Sequence, residues 1–325
     1  MLSHGMAGEP KRAMCSLISE TVHENLGGTA ANVAYYVFVE AGVPWADDAL
    51  ESRHVPAGLK ERLKQLSAKG HSCKTLIFTS DTNRSPAGTH RVLLYRKPAA
   101  PLVQFDKQEY VVPAEQVGDL IQAYIERRSM EEFQPYEQMT GHVRDLFVCT
   151  HGSHDACCGK FGYGAYRELE RYAGQSGGEL RAWRVSHIGG HRFAPTAIDL
   201  PEGRYWGRLT AGAIEAIVSR QEPAAEVLRF VRGWGAMNTA EQLVEREIFA
   251  KEGWAWTTYL RSAESEGLED GSTRVHIKYR TADGSVSGAY TAVVRETASI
   301  EVYGCEYEAP RAYPQYNVEA FSKST

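Results

Sequence analysis

The sequence predicts an α/β protein of two or three domains, and three observations carry this prediction. Short runs rich in β-branched and aromatic residues recur along the chain, and they alternate with segments whose apolar residues follow helical spacing. The length of 325 residues exceeds that of a usual single domain. We expect an N-terminal α/β domain at 1–140, a second α/β domain at 141–232, and a small module of a helix and β-hairpins at 233–325.

Strands and helices alternate in the first predicted domain. Apolar and aromatic runs such as AYYVFVE predict strands at 34–40, 73–79 and 91–96. Helices are predicted at 59–69 and 114–128, because apolar residues in each fall on one face. The segment 129–142 is polar and lacks periodicity, so we interpret it as the linker to the second domain.

The second predicted domain begins with a strand at 145–149 (DLFVC), a helix at 156–173 and a strand at 180–185. The turn sequence Pro201-Glu202-Gly203 predicts a hairpin between strands at 196–200 and 205–209. Thr210 is placed to cap a helix at 211–220.

The last 93 residues, 233–325, differ from the rest of the chain because strand-like runs predominate in them. They predict a helix at 240–251 and four strand-like runs at 256–260, 273–281, 287–295 and 299–303. The sequence Ala282-Asp283-Gly284 favours a hairpin turn. No repeat of fixed period is visible in the chain.

Composition and charge narrow the possible functions. Apolar residues make up 43% and charged residues 24% of the chain, which is typical of a globular protein with a real core. A net charge of −5 argues against non-specific nucleic-acid binding. No apolar run approaches the ~18 residues of a membrane span, so no membrane contact is expected. The polar segment 1–14 does not resemble a secretory signal, and we therefore expect a cytoplasmic protein.

Six cysteines are too sparse for a disulfide scaffold, and clustered cysteines in a reducing compartment bind metal or catalyse more often than they pair. Three of the six cysteines lie close together in the sequence. Cys149 ends a predicted strand, and Cys157 and Cys158 open the next helix, where the free N–H groups favour thiolates. Adjacent helical residues point in different directions, so we expect only one of the pair to face Cys149.

Two histidines lie after the next predicted strand. His187 and His191 flank Gly189 and Gly190, which disfavour a helix and predict a tight loop that turns both imidazoles toward one point. We expect this strand to run parallel to the one that ends at Cys149. Both loops would then lie at the same sheet edge, where α/β proteins bind ligands.

Two thiolates and two imidazoles suit either zinc or a two-iron cluster. Zinc knuckles usually separate their thiolates by ~2–4 residues, whereas eight residues lie between Cys149 and Cys158. This spacing favours a cluster and leaves zinc open.

Several long blocks of the sequence resemble the sucrase/ferredoxin-like family. The blocks are VCTHG at 148–152, DACC at 155–158, VSHIGGHRFAP at 185–195 and LPEGRYWGR at 200–208. The resemblance, which extends from Cys15 to about residue 220, implies a thioredoxin-like ferredoxin domain that binds a [2Fe–2S] cluster. It implies Cys149, Cys158, His187 and His191 as the ligands, with Cys157 as the reserve ligand. The family label also mentions a sucrase, but we identify no carboxylate pair that a glycosidase needs.

The function that follows is electron transfer by a carrier or redox module rather than hydrolysis. Imidazole ligands should raise the reduction potential above that of an all-cysteine cluster, and they should couple electron uptake to proton uptake. No glycine-rich nucleotide motif is present. A redox partner protein or a small molecule must therefore supply or accept the electrons.

Other interpretations remain open from the sequence. The same four residues could form a zinc site, and Cys157 or Cys158 could serve a thiol-based redox enzyme, although no Cys-x-x-Cys pair is present. The N-terminal domain could be a binding module that the cluster stabilises. Arg192 is a candidate to offset the charge of the cluster. We interpret His151 and His154 as solvent-facing or supporting residues, and the three remaining cysteines, Cys15, Cys73 and Cys305, as structural. Because Cys15 lies in the N-terminal block of the family resemblance, an active-site role for it stays open.

Overall fold

The structure is a computed structural model that describes residues 14–303, 305 and 309–324. The segment 1–13, where the sequence predicts no secretory signal, lies outside these residues. Among the described residues, no helix has the length and apolar character that crossing a bilayer requires.

The α/β class is confirmed, and most predicted elements of the first domain form. After helix α1 (Cys15–Thr21), this part of the chain contains four strands and two helices: β1 (Tyr35–Glu40), α2 (Leu59–Ala68), β2 (Lys74–Thr79), β3 (Thr89–Arg96), β4 (Asp106–Pro113) and α3 (Val117–Ile125). The sequence did not predict α1 or β4. The first residues of β4 are polar, and the strand forms through its antiparallel pairing with β3.

The second predicted domain also follows the predicted order. Its elements are β5 (Arg144–Cys149), α4 (Ala156–Ala173), β6 (Leu180–Val185), β7 (Ala197–Leu200), β8 (Arg204–Trp206), α5 (Ala211–Ser219), α6 (Ala224–Val227) and β9 (Val231–Trp234). Thr210 caps α5 as predicted, because its side chain accepts a hydrogen bond from the Ala213 N–H.

The nine strands form one mixed sheet in the order β4-β3-β1-β2-β6-β5-β7-β8-β9. In the first half, the parallel strands β1 and β2 are connected through α2, and the β3–β4 hairpin and α3 follow in the chain. In the second half, β5 and β6 are parallel around α4, and the β7–β8 hairpin and α5 follow. Each half thus has the strand order of a thioredoxin-like fold. Two halves can share a topology when their elements follow the same order, even if their residues differ. This explains why the sequence shows no repeat.

The two halves join through a short antiparallel pairing of β2 with β6. The sheet folds back on itself there, so the inner faces of the halves pack together. The rings of Phe38 and Phe147 are stacked with centroids 4.0 Å apart, and the hydroxyls of Tyr36 and Tyr205 are 2.8 Å apart. The predicted boundary at residue 140 lies between β4 and β5, within this continuous sheet. The division into separate domains stays a prediction.

The C-terminal module is β-rich, as predicted. It contains α7 (Thr239–Glu252) and an antiparallel sheet of β10 (Leu260–Gly267), β11 (Thr273–Arg280), β12 (Ser287–Val302) and β13 (Arg311–Ser324). The run at 256–260 was predicted as a strand, but Gly253–Thr258 forms a 3₁₀ helix that buries Trp256. The two predicted strands at 287–295 and 299–303 are one long strand, β12. Its end leads the chain to Cys305.

Candidate metal centre

The predicted ligands lie at the edge of the sheet where β5 and β6 end. These strands are parallel, as predicted, and Cys149 is the register partner of Val185. Cys149 ends β5, Cys158 lies in the first turn of α4, and His187 follows β6 by two residues. The parallel pairing therefore brings residues that are far apart in sequence to one edge.

Three of the predicted ligands form a group that could hold a metal. One ligand atom each from Cys149, Cys158 and His187 lies within 4.8 Å of the others. Both cysteines are buried, and His187 is half-buried. Within the described part of the chain, the buried Nδ1 of His187 has no hydrogen-bond partner. A buried polar atom without a partner is unusual in a protein, and a metal ion would satisfy it.

The fourth predicted ligand, His191, lies beside this group rather than within it. Its ring centroid is 5.8 Å from that of His187. The His191 Nδ1 is 2.6 Å from Asp155 Oδ2 and 3.2 Å from Cys15 Sγ. A carboxylate at Nδ1 leaves Nε2 as the nitrogen available to a metal, which is a common arrangement around metal-binding histidines. The assignment of the four ligands stays a prediction.

Asp155 organises the start of α4. Its Oδ1 accepts hydrogen bonds from the N–H groups of Cys157 at 2.8 Å and Cys158 at 3.2 Å, and so caps the helix. Burial would raise the pKa of Asp155, but the contact with His191 lowers it below its ordinary value. The carboxylate thereby links the helix that carries Cys158 to the loop that carries His191.

The thiols of Cys149 and Cys158 are electrostatically coupled. Burial alone would raise the pKa of Cys149, but contacts with Cys158 and His187 lower it well below its usual value. The contact with Cys149, together with burial, raises the pKa of Cys158. The pair therefore favours one negative charge over two. A bound cation would favour the second thiolate as well.

Glycines let α4 approach the end of β5. A Cβ on Gly162 would lie 1.9 Å from the carbonyl oxygen of Cys149, and a Cβ on Gly159 would lie 2.6 Å from the Cα of Gly152. Both contacts are too short for any side chain. The glycines that the sequence places in the first half of this helix therefore allow Cys158 to reach Cys149.

Arg232 holds the loop that follows β6. Gly189 and Gly190 both have positive φ, and a Cβ on Gly190 would lie 2.4 Å from Arg232 Nη2. The Arg232 Nη1 donates to the Gly189 carbonyl at 2.9 Å, and Nη2 donates to the Thr29 carbonyl at 2.7 Å. Burial lowers the pKa of Arg232 to about 10. No motif or spacing in the sequence indicated this buried cation near the two thiols.

Arg192, which the sequence suggested as the group that offsets the charge of a cluster, makes other contacts. Its Nε is 2.5 Å from Glu24 Oε1, and its guanidinium lies 3.8 Å from the ring centroid of Tyr313. This arginine thus connects the loop after β6 to the N-terminal segment and to β13.

The two histidines between β5 and α4 have different surroundings. His151 is buried; its Nε2 donates to the Ala46 carbonyl at 2.7 Å, and its Nδ1 accepts the His187 N–H at 3.2 Å. It therefore positions the backbone of His187. His154 is more exposed, pairs with Asp47 at 2.9 Å, and has its ring centroid 4.3 Å from that of His187. A partly exposed imidazole therefore packs against the ring of His187.

Adjacent Cys157 and Cys158 point in different directions, as predicted. Cys158 faces Cys149, whereas the Sγ of Cys157 contacts Cys15 at 3.4 Å and Cys305 at 3.3 Å. The Cys15 thiol, through its hydrogen bond, lowers the pKa of Cys157 to about 5. From the sequence we interpreted Cys15 and Cys305 as structural, and no local pattern predicts that they contact Cys157. Cys73 lies elsewhere, beside Thr75.

Comparisons with known proteins match the part of the chain that carries this site. The model of a family described as sucrase/ferredoxin-like matches residues 26–233, a range that includes Cys149, Cys158, His187 and His191. A curated relative from Meyerozyma guilliermondii is named altered inheritance of mitochondria protein 32. It is 22% identical over an alignment of 160 residues that covers 44% of this chain and 57% of the relative, so the match spans little more than half of that protein. No solved structure matches the chain.

Proposed function

The chain belongs to the sucrase/ferredoxin-like family, and we propose that it is an electron-transfer protein whose [2Fe–2S] cluster is held by Cys149, Cys158, His187 and His191. One observation carries the proposal. Two buried thiols and a histidine nitrogen lie within 4.8 Å of one another, and His187 Nδ1 is a buried atom with no partner in the described part of the chain.

The donor set fits such a cluster. When bound, a [2Fe–2S] cluster supplies one-electron transfer. The two thiols come from the end of β5 and the start of α4, while both imidazoles come from the loop after β6. Two cysteines on one side and two histidines on the other match the separation of ligands in Rieske-type centres.

Neighbouring residues support the ligands. Asp155 accepts a hydrogen bond from Nδ1 of His191 and orients that ring, and His151 accepts a hydrogen bond from the backbone N–H of His187. Arg232 brings a buried positive charge close to the thiols and offsets part of their negative charge. Together they hold the four donors in place and compensate charge in a poorly hydrated site.

The first experiment is the visible spectrum, with iron, sulfide and zinc analysis, of the anaerobically purified chain before and after dithionite. We expect brown protein with about two iron and two sulfide per chain that bleaches on reduction. Colourless protein that contains zinc and lacks sulfide, with the zinc lost in Cys158→Ser, would overturn the proposal in favour of a zinc site with the same ligands.

Histidine ligation should couple the uptake of an electron by the cluster to the uptake of a proton. An imidazole ligand keeps a second ring nitrogen that can gain a proton, and added negative charge favours the protonated ring. We therefore expect the midpoint potential to fall as the pH rises from neutral to alkaline. His187→Cys and His191→Cys should each lower the potential and weaken its pH dependence. A flat potential across this pH range would contradict the coupling.

The electron donor and acceptor are proposed to be external. The ring of the partly exposed His154 lies 4.3 Å from that of His187, so this histidine-rich edge is the proposed approach for a redox partner protein or a small molecule. Since the proposed ligands include thiolates, we also propose a reducing compartment, the cytoplasm, as the location. Nucleic-acid and membrane partners are not part of the proposal.

A further inference from the structure

A second group of side chains that could bind a metal lies next to the proposed cluster site. The sulfurs of Cys15, Cys157 and Cys305 form a triangle with sides of 3.4, 3.3 and 3.3 Å. A carboxylate oxygen of Asp155 completes the group, and all four ligand atoms lie within 4.8 Å of one another. Cys15 and Cys157 are buried, and Cys305 is half-buried.

From this geometry we propose that Cys15, Cys157, Cys305 and Asp155 bind one divalent ion of the zinc class, separate from the proposed iron–sulfur site. Three thiolates and one carboxylate form a four-ligand set that suits a soft, tetrahedral ion. Thiolates in a tetrahedral zinc site with Zn–S bonds of about 2.3 Å are about 3.8 Å apart. Each side of the triangle therefore needs to lengthen by less than about half an ångström.

A disulfide accounts less well for the same three cysteines. A disulfide brings two sulfurs to about 2.05 Å and leaves the third unpaired. Here all three separations are nearly equal, and no pair is closer than the others by more than 0.1 Å. Near-equal spacing is the arrangement expected of three ligands around one centre.

The three cysteines come from distant parts of the chain. Cys15 begins α1, Cys157 lies in the first turn of α4, and Cys305 follows β12 of the C-terminal sheet. An ion at this point would connect the N-terminal helix and the C-terminal sheet to the edge that carries the proposed cluster ligands. It would thereby link the C-terminal module to the site.

Asp155 connects the two sites. One of its oxygens lies 2.6 Å from Nδ1 of His191, and its other oxygen caps the helix that carries both Cys157 and Cys158. The ion site shares no ligand with the proposed cluster; the two groups touch through His191, which contacts Cys15 and Asp155, and through the adjacent residues Cys157 and Cys158.

The experiment uses the full chain, purified anaerobically, exposed to zinc and then desalted, with zinc, iron and sulfide counted separately. We expect one bound zinc per chain in the parent protein. Cys15→Ser and Cys305→Ser should each lose that zinc and keep the iron, the sulfide and the visible spectrum. Cys158→Ser should lose iron and sulfide and keep the zinc, and Cys73→Ser should lose neither.

Separate metal counts distinguish the two proposals. Retained iron or an unchanged far-UV circular dichroism spectrum shows that a variant is folded. The zinc proposal is overturned if the parent retains no more zinc than Cys15→Ser or Cys305→Ser. It is also overturned if peptide mapping after anaerobic alkylation finds a disulfide among the three cysteines. Absence of iron and sulfide with retained zinc in the parent would overturn only the electron-transfer proposal.

Discussion

At the scale of single residues, two neighbouring cysteines face different groups of side chains. Cys157 and Cys158 both lie in the first turn of α4, where successive side chains are separated by about 100° around the helix axis. Cys158 consequently faces Cys149, while Cys157 faces Cys15 and Cys305. The family resemblance names Cys158 as the ligand, and the geometry gives a physical reason for preferring it to the reserve ligand Cys157.

A serine substitution tests the role of Cys158. Cys158→Ser removes a thiolate from the proposed cluster, so we expect the iron, the sulfide and the visible absorption to be lost while the chain stays folded. Cys73→Ser is the matched control, since Cys73 lies away from both groups, and it should retain all three. Full iron and sulfide content in Cys158→Ser would exclude Cys158 as a ligand.

At the scale of elements, the close packing of α4 against β5 depends on glycine at particular positions. A Cβ at Gly162 would overlap the Cys149 carbonyl oxygen at 1.9 Å, whereas a Cβ at Gly164 would meet nothing within 4 Å. Two glycines in the same helix thus have opposite roles. One allows the contact that brings the thiols together, and the other only lowers helix propensity.

This difference predicts opposite effects of alanine. Gly162→Ala should destabilise the protein by about 1–3 kcal/mol, because the helix must move away from β5. It should also reduce iron content. Gly164→Ala should stabilise the protein by up to about 1 kcal/mol and leave the iron content unchanged. Urea unfolding of both variants measures the difference, and equal effects would contradict the proposed packing role of Gly162.

The turn between β7 and β8 carries a buried ionic group. Glu202 lies 2.6 Å from Arg204 Nε and 2.7 Å from Arg220 Nη2. Burial alone would raise the pKa of Glu202, but the two arginines lower it to about 2 from an ordinary value of 4.5. A carboxylate with a lowered pKa in the folded state stabilises the fold above its unfolded pKa. That contribution is lost as the pH falls through the folded value.

Glu202→Gln should therefore destabilise the protein at neutral pH, and its effect should shrink as the pH falls from about 4.5 toward about 2. The free energy of unfolding of parent and variant, measured in urea at neutral pH and at about pH 3, tests this expectation. Exposed Glu215 provides the control, and Glu215→Gln should have little effect at either pH. A Glu202→Gln effect that is independent of pH would contradict the assigned role.

At the scale of the whole molecule, a buried ionic cluster joins the large sheet to the C-terminal module. Glu245 of α7 lies 2.8 Å from Arg204 of β8 and 3.3 Å from Arg261 of β10, and it accepts a hydrogen bond from Trp256 at 2.9 Å. Glu245 and both arginines are fully buried. Removal of the carboxylate would leave two guanidinium groups without this partner in the interior.

Glu245→Ala is expected to destabilise the protein by about 3–5 kcal/mol, because the buried Arg261 would lose its carboxylate partner and Arg204 would keep only Glu202. Exposed Glu264 on β10 serves as the control, and Glu264→Ala should change the stability by no more than about 0.5 kcal/mol. Urea unfolding followed by far-UV circular dichroism measures both. A loss of less than about 1 kcal/mol in Glu245→Ala would show that solvent or another partner compensates the arginines.

The sequence predicted local structure well where periodicity was strong. The predicted helix at 156–173 and strand at 180–185 match α4 and β6, since their apolar residues follow one face. It missed β4 because strand DKQEYVVP begins with polar residues and is defined by pairing with β3. The strand predicted at 256–260 was wrong. Aromatic residues favour strands, but here they fill the core from a 3₁₀ helix.

The amino-acid sequence was enough to predict the α/β class, the segments that carry the proposed ligands Cys149, Cys158, His187 and His191, and the different directions of the two adjacent cysteines. These features depend on local periodicity and on the order of elements. Three features could be seen only once the elements are packed together. The sheet folds back on itself, Arg232 holds the loop that carries the histidines, and Cys15, Cys157 and Cys305 meet. Cys15 and Cys305 are 290 positions apart, yet their sulfurs are 3.3 Å apart. Contacts at such separations depend on how whole elements pack, and no local pattern encodes them.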